Sequence, residues 1–205
     1  MTLAVSAGLP AGYPLTTALA FLGVLAGLGV GHLIGDMLLQ PDRLARAKAF
    51  PSDDQLAAGI HPWTGWPACL AHVGLYLAAQ AATVVIVALL VPMTGATALT
   101  ALIISGASHA YIDRRWLVAV IIARKQCTGW AQAPFWVDQA LHGAAMLLAA
   151  AVAARTTSGT GIAVAAGGGL LLLADALRVE HRYARLIRAQ QHRPIVPARA
   201  GGDRA

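Results

Sequence analysis

The chain has 205 residues, of which 58% are apolar and only 12% charged, and its formal net charge is +6. Soluble domains run at about 45–50% apolar and about 25% charged, so this balance argues against an ordinary soluble enzyme and for a membrane protein. Two cysteines, Cys69 and Cys127, are too few for a disulfide framework and form no CxxC pair; both read as small apolar fillers.

A membrane span takes about 20 apolar residues. Five blocks meet that length, at about 15–39, 68–91, 95–113, 134–154 and 160–177. The expected fold is therefore an all-α polytopic bundle of five transmembrane helices within residues 1–178, followed by a basic tail over 179–205.

The first block has no Lys or Arg before it, so it lacks the basic start of a signal peptide and should remain in the mature protein. It carries Gly23, Gly27, Gly31 and Gly35, a four-residue repeat that lets a neighbouring helix come close. This Gly row is either a packing groove alone or a feature shared with the polar residues beside it. The loop 41–67 is rich in Pro, Asp and Gly and can partly cover the mouth of the bundle. Trp63 and Trp66 before the second span, and Trp130 and Trp136 around the start of the fourth, read as interfacial anchors. The apolar run 116–123 follows Arg114 and Arg115 and is too short to span, so it reads as an interfacial segment. Residues 178–191 read as a short surface helix with Tyr183, Leu186 and Ile187 towards lipid, and the chain from Pro194 on as disordered. Asp175 has Arg178 three residues on as an expected partner.

With five spans, fourteen of the fifteen basic residues fall on one side, and only Arg155 on the other. The positive-inside rule then places the amino terminus outside and the carboxyl terminus in the cytosol, in a bacterial inner (plasma) membrane. The basic tail reads as an orientation signal that touches anionic lipid, and no nucleic-acid partner is expected. The oligomeric state is left open.

Polar residues recur inside the spans at one spacing. His32 and Asp36 are four apart, as are His109 and Asp113, and Asp138 and His142; the second span adds His72. Residues four apart share a helix face. The order is His then Asp in spans one and three, and Asp then His in span four, which runs the other way. The carboxylates should therefore lie nearer the cytosol in every case, above a deeper layer of imidazoles. An Asp at the centre of a span costs about 2.5–3.5 kcal/mol on insertion scales. Seven such groups at one depth point inward and to function.

Imidazole and carboxylate ligands without thiolate suit Zn, Mn or Fe. The seven residues can hold one ion with orienting partners, or two ions. Such a centre near the cytosolic face suits metal-dependent hydrolysis of a lipid or lipid-linked substrate. Gln40 and Gln139 can orient water or substrate. Lys48, Arg114 and Arg115 can meet an anionic group, although orientation and lipid contact are the favoured role for each. Nothing marks Ser108 as a nucleophile, and His61, His181 and His192 read as solvated. The alternatives are a metal-ion or proton transporter, a haem-binding subunit, and a membrane scaffold with a structural metal that binds partners through its Gly-rich helix.

The pieces "HLIGDMLLQ" (32–40), "KAF" at Lys48, His72, "SHAYID" (108–113) and "DQALH" (138–142) occur in order. On them the chain resembles the domain-of-unknown-function 3307 family of small bacterial and phage membrane proteins, over about 32–145. The resemblance implies a small integral membrane protein and brings no activity with it. A weaker likeness is to membrane-bound metal-dependent hydrolases, which also set His and Asp at span ends.

Overall fold

The structure is a computed structural model and describes residues 14–191. Among these residues every regular element is helical. The order is α1 (Leu15–Leu33), running on into a π-turn at Ile34–Leu38, then α2 (Asp42–Ala47), α3 (Asp53–Ala57), α4 (Trp66–Ala88), α5 (Gly95–Asp113), α6 (Trp116–Lys125), α7 (Ala133–Ala153) and α8 (Gly159–Gln191). Five stretches are long and apolar enough to cross a membrane: Leu15–Leu38, Trp66–Ala88, Gly95–Asp113, Ala133–Ala153 and Gly159–Gln190.

Helices α1, α4, α5 and α7 form a four-helix bundle, and α8 lies outside it against α5 and α3. The Gly row of α1 sets the closest approach. A Cβ on Gly31 would lie 2.5 Å from Gln80 Cα, and one on Gly35 would lie 3.0 Å from Tyr76 Cα. At that range the side chains of α4 reach the backbone of α1. Thr83 Oγ1 donates to the Gly27 carbonyl at 2.6 Å, and Gln80 Nε2 donates to the Leu28 carbonyl at 3.0 Å. Interhelical hydrogen bonds of this kind hold apolar helices together where lipid offers no hydrophobic driving force. The Gly face is thus taken up inside the chain, against α4.

The half of the bundle beyond these contacts is largely apolar. Val24, Leu28, Val84, Ala101, Met146, Ala149, Ala150 and Ala153 form one buried apolar cluster there. At the opposite end, Trp66, Cys69, Val73, Ala110 and Ala176 pack α4, α5 and α8 together.

Several local expectations are corrected at this second end. Residues 178–191 are not a separate surface helix, because α8 continues unbroken from Gly159 to Gln191. Its buried stripe Ala176, Glu180 and Ala184 repeats every four residues and keeps the helix seated. Tyr183 is exposed but donates to Asp53 at 2.9 Å, and Arg188 donates to the Leu56 and Ile60 carbonyls, so the helix binds the 41–67 segment. That segment folds as α2 and α3, with Ser52 and Gln55 forming a capping box and Leu56 fully buried. Trp66 is buried rather than an interfacial anchor, whereas Trp63, Trp130 and Trp136 are exposed. Asp175 accepts from Tyr111 at 3.2 Å instead of pairing with Arg178. The 116–123 run is part of a ten-residue helix, α6. Cys69 is buried and Cys127 half-buried, and neither is in a disulfide. His61 and His181 are exposed. His192 and the tail from Pro194 on lie outside the described residues.

The Gly row gives a direct stability test. Gly31→Ala should destabilise the protein by about 1–3 kcal/mol, because the new methyl meets backbone that cannot yield. Gly29→Ala has nothing within 4 Å to meet and should be neutral or stabilising by up to about 1 kcal/mol. Thermal unfolding of both variants in detergent checks the contrast.

Candidate metal centre

The seven polar residues predicted to face inward do so, at the end of the bundle where α1 and α5 finish and α4 and α7 begin. On α4 the stripe His72, Tyr76, Gln80 repeats every four residues, and on α5 the stripe Ser105, His109, Asp113 does the same. Each stripe therefore lies on one face. Four of the residues meet most closely. Asp36 Oδ1 is 3.0 Å from His72 Nε2 and 3.4 Å from His109 Nε2. Asp113 Oδ2 is 3.3 Å from His72 Nε2 and 3.0 Å from His109 Nε2. The two imidazole nitrogens are 2.9 Å apart. The π-turn at Ile34–Leu38 carries Asp36 into this group, with the Leu39 N–H reaching back to the Ile34 carbonyl at 3.0 Å. Extra-residue turns of this kind are frequent at functional sites.

The remaining three residues flank the four. His142 Nε2 lies 3.7 Å from Asp113 Oδ1 and 3.6 Å from Asp138 Oδ2, is buried, and has no hydrogen-bond partner. His32 Nε2 contacts Gln139 Oε1 at 3.0 Å, and its Nδ1 is 3.6 Å from Asp36 Oδ2. Gln139 Nε2 donates in turn to Asp138 Oδ2 at 3.3 Å. The His109 ring is stacked between Tyr76 and His142, with centroids 3.6 and 4.4 Å away. Asp36 and Asp113 each contact the same two imidazoles, from α4 and α5, so carboxylates and imidazoles touch directly. Asp138, with a side chain 21% exposed, and Asp36, at 8%, are the outermost members; the other five side chains are 4% exposed or less.

The buried His and Asp groups could hold a cation. Ligands bonded at about 2.0–2.1 Å in a tetrahedron stand about 3.3 Å from one another, and the four carboxylate–imidazole separations and the imidazole–imidazole separation among Asp36, His72, His109 and Asp113 run from 2.9 to 3.4 Å. Two imidazole nitrogens at 2.9 Å can share only one proton between them. Three overlapping groups place their ligand atoms within 4.8 Å of each other: Asp36, His72 and His109; His32, His109 and His142; and Asp36, Asp138 and His142. The Nδ1 atoms of His72 and His109 have no partner among the described residues. Gln139 orients two members of the cluster, touching the His32 imidazole with its oxygen and the Asp138 carboxylate with its nitrogen.

Lys48 and Arg114 are not at a solvated mouth. Lys48 is buried, with Nζ 2.8 Å from Asp113 Oδ2. Arg114 is fully buried and pairs with Glu180. It also donates to the Lys48, Ala49, Pro62 and Thr64 carbonyls at 2.7–3.4 Å. Glu180 accepts the Trp66 indole N–H as well, at 2.8 Å. Gly65 adopts φ +96°, and a Cβ there would strike both Arg114 and the Ala47 and Ala49 carbonyls. Arg115, by contrast, is exposed. Gln40 is half-buried and its Nε2 has no partner. Ser108 donates to helix carbonyls of its own turn. An apolar cleft of about 540 Å³ between residues 50–53, α6 and α8 includes Arg114 and Glu180 in its lining but none of the seven.

Glu180, Tyr76 and Gln80 are the site-region residues that sequence reasoning missed. Glu180 is the only glutamate in the chain, and it sits four residues from buried Ala176 on a long apolar helix, which is the signal that marks it. Tyr76 and Gln80 continue the spacing of His72 but carry no charge at neutral pH, so nothing in a charge pattern singles them out.

A family model described as a protein of unknown function (DUF3307) matches residues 24–165, and the chain belongs to that family. The matched segment contains all seven clustered residues together with Lys48 and Arg114, and leaves Glu180 outside. No curated protein and no solved structure matches the chain.

The buried pair predicts unequal neighbours. Arg114→Ala strands Glu180 and four carbonyls and should cost about 3–5 kcal/mol. Arg115→Ala, at an exposed position, should stay within about 0.5 kcal/mol of the parent. Denaturation midpoints in one detergent compare them.

Proposed function

We propose that the protein is a multi-pass membrane metalloenzyme that hydrolyses a lipid or lipid-linked phosphate or ester at the cytosolic face of the bacterial inner membrane. The observation that carries this reading is the approach of Asp36, His72, His109 and Asp113 to the spacing of metal ligands inside an apolar bundle. Isolated charges in such a setting are expensive and are functional by default. In this reading the four hold a divalent transition metal such as Zn, Mn or Fe. The ion supplies Lewis acidity to a phosphoryl or carbonyl oxygen and makes water nucleophilic near neutral pH.

The chain's own groups then divide the work. Asp138 is the most accessible carboxylate of the cluster and faces His142 Nε2 at 3.6 Å. This pair takes and returns the proton of an attacking water, with Gln139 orienting Asp138 and His32 through its two amide contacts. The exposed edge of the cluster, Asp36 and Asp138, belongs to α1 and α7. Their sequence neighbours Met37, Leu38, Leu39, Phe135 and Trp136 are exposed and apolar. That surface suits an amphiphile arriving from the lipid side better than a free solute. Eleven described basic residues lie at this end, from Arg43 to Arg188, so the positive-inside rule assigns it to the cytosol. Transport is disfavoured because, among the described residues, no chain of buried ionisable groups runs from the cluster past Leu28 and Met146 to the far side.

Metal analysis of detergent-purified protein tests the reading. Wild type should carry a stoichiometric transition metal, and Asp113→Asn should lose it. Asp138→Asn should keep the metal while hydrolysis of lipid phosphate or ester substrates in vesicles falls by about 10²–10⁴. Wild type without stoichiometric metal, or full activity in Asp138→Asn, would contradict it.

A further inference from the structure

The charge of the cluster sets a limit that distances alone do not. Asp36, Asp113 and Asp138 bring three negative charges to it, and among the described residues Lys48 is the one fixed cation that contacts them. Arg114 is close in sequence, but its charge is matched by Glu180. With neutral imidazoles, three carboxylates and one ammonium leave a net charge of −2. An apolar interior tolerates little uncompensated charge. One divalent ion balances this set, and two would overshoot it.

We propose that Lys48 is the built-in second cation of the centre, that the centre holds a single divalent ion, and that Arg114 and Glu180 position Lys48 for this role. The geometry of delivery is specific. Lys48 closes α2, and its own carbonyl accepts from Arg114 Nη1 at 2.7 Å. Two residues on, the Phe50 N–H donates to the Arg114 carbonyl at 3.0 Å. The backbone on either side of Ala49 is thus tied to the residue that follows Asp113, and the Lys48 side chain is left to reach Asp113 itself. Glu180 fixes the Arg114 guanidinium from α8, and Trp66 fixes Glu180. The last helix therefore acts on the centre through three linked contacts without contributing a ligand. Arg114 and Glu180 are positioning residues and not ligands.

This inference rests on the metal reading above, and Zn²⁺ titration of the metal-stripped full chain in detergent separates the two. Wild type should bind one Zn²⁺. Lys48→Gln and Lys48→Met should each bind it at least about tenfold more tightly, since a neighbouring positive charge is gone. Glu180→Gln should shift affinity the same way by less, and should add nothing in the Lys48→Gln background. Loss of folding would weaken binding, which is the opposite sign. Two ions in wild type, or unchanged or weaker binding in both Lys48 variants, would overturn the proposal and leave the metal reading standing. No Zn²⁺ bound to wild type would remove both.

Discussion

Charge buried in an apolar bundle has to be neutralised where it lies, and the whole of this structure is arranged around that need. Three carboxylates and four imidazoles contact one another at one end of the bundle. They are exposed at one edge only, beside Asp36 and Asp138. Hydrogen bonds within the set do not close the account, because His142 Nε2 is buried without a partner and two other imidazole nitrogens face each other at 2.9 Å. A cation bound by Asp36, His72, His109 and Asp113 would resolve the second difficulty, taking the lone pairs of the two facing imidazoles and offsetting the carboxylates.

The precision of the centre comes from the packing beside it. Gly27, Gly31 and Gly35 let α4 come against α1 closely enough for Thr83 and Gln80 to bond to α1 carbonyls. Gln80 also donates to Tyr76 Oη at 2.7 Å, which contacts Ser105 at 3.1 Å, and the Tyr76 ring stacks on His109. A run of interlocked polar contacts therefore leads from the helix interface to the ligand group. It fixes the ring of one candidate ligand, in the way that supporting contacts orient metal-binding side chains elsewhere. On the other side, the Arg114–Glu180 pair ties the 41–67 segment and α8 to the end of α5. The centre thus lies between a rigid helix pair and a polar clasp.

Much of this was legible in the sequence because two periods coincide there. The length of the apolar blocks marks the five long helices, and the spacing of four marks which polar residues share a face. The reversal of Asp138 and His142 relative to His32 and Asp36 marks that they meet at one end. What was not legible depends on partners distant in sequence. Arg114 reads as an orientation charge beside Arg115, and only the fold shows that the first is enclosed by carbonyls and Glu180 while the second faces out. Trp66 reads as an anchor like Trp63 until Glu180 is found against its indole. The continuity of α8 past residue 178 was hidden by the run of arginines, whose mostly exposed side chains conceal a buried stripe of Ala176, Glu180 and Ala184.

X-ray absorption at the metal edge of the purified, metal-loaded protein would test the central claim most directly. A first shell of nitrogen and oxygen at about 2.0–2.1 Å, with the outer-shell scattering of two imidazoles, is the predicted result for an ion held by Asp36, His72, His109 and Asp113. A shell containing sulfur at about 2.3 Å, or one with no imidazole scattering, would contradict it.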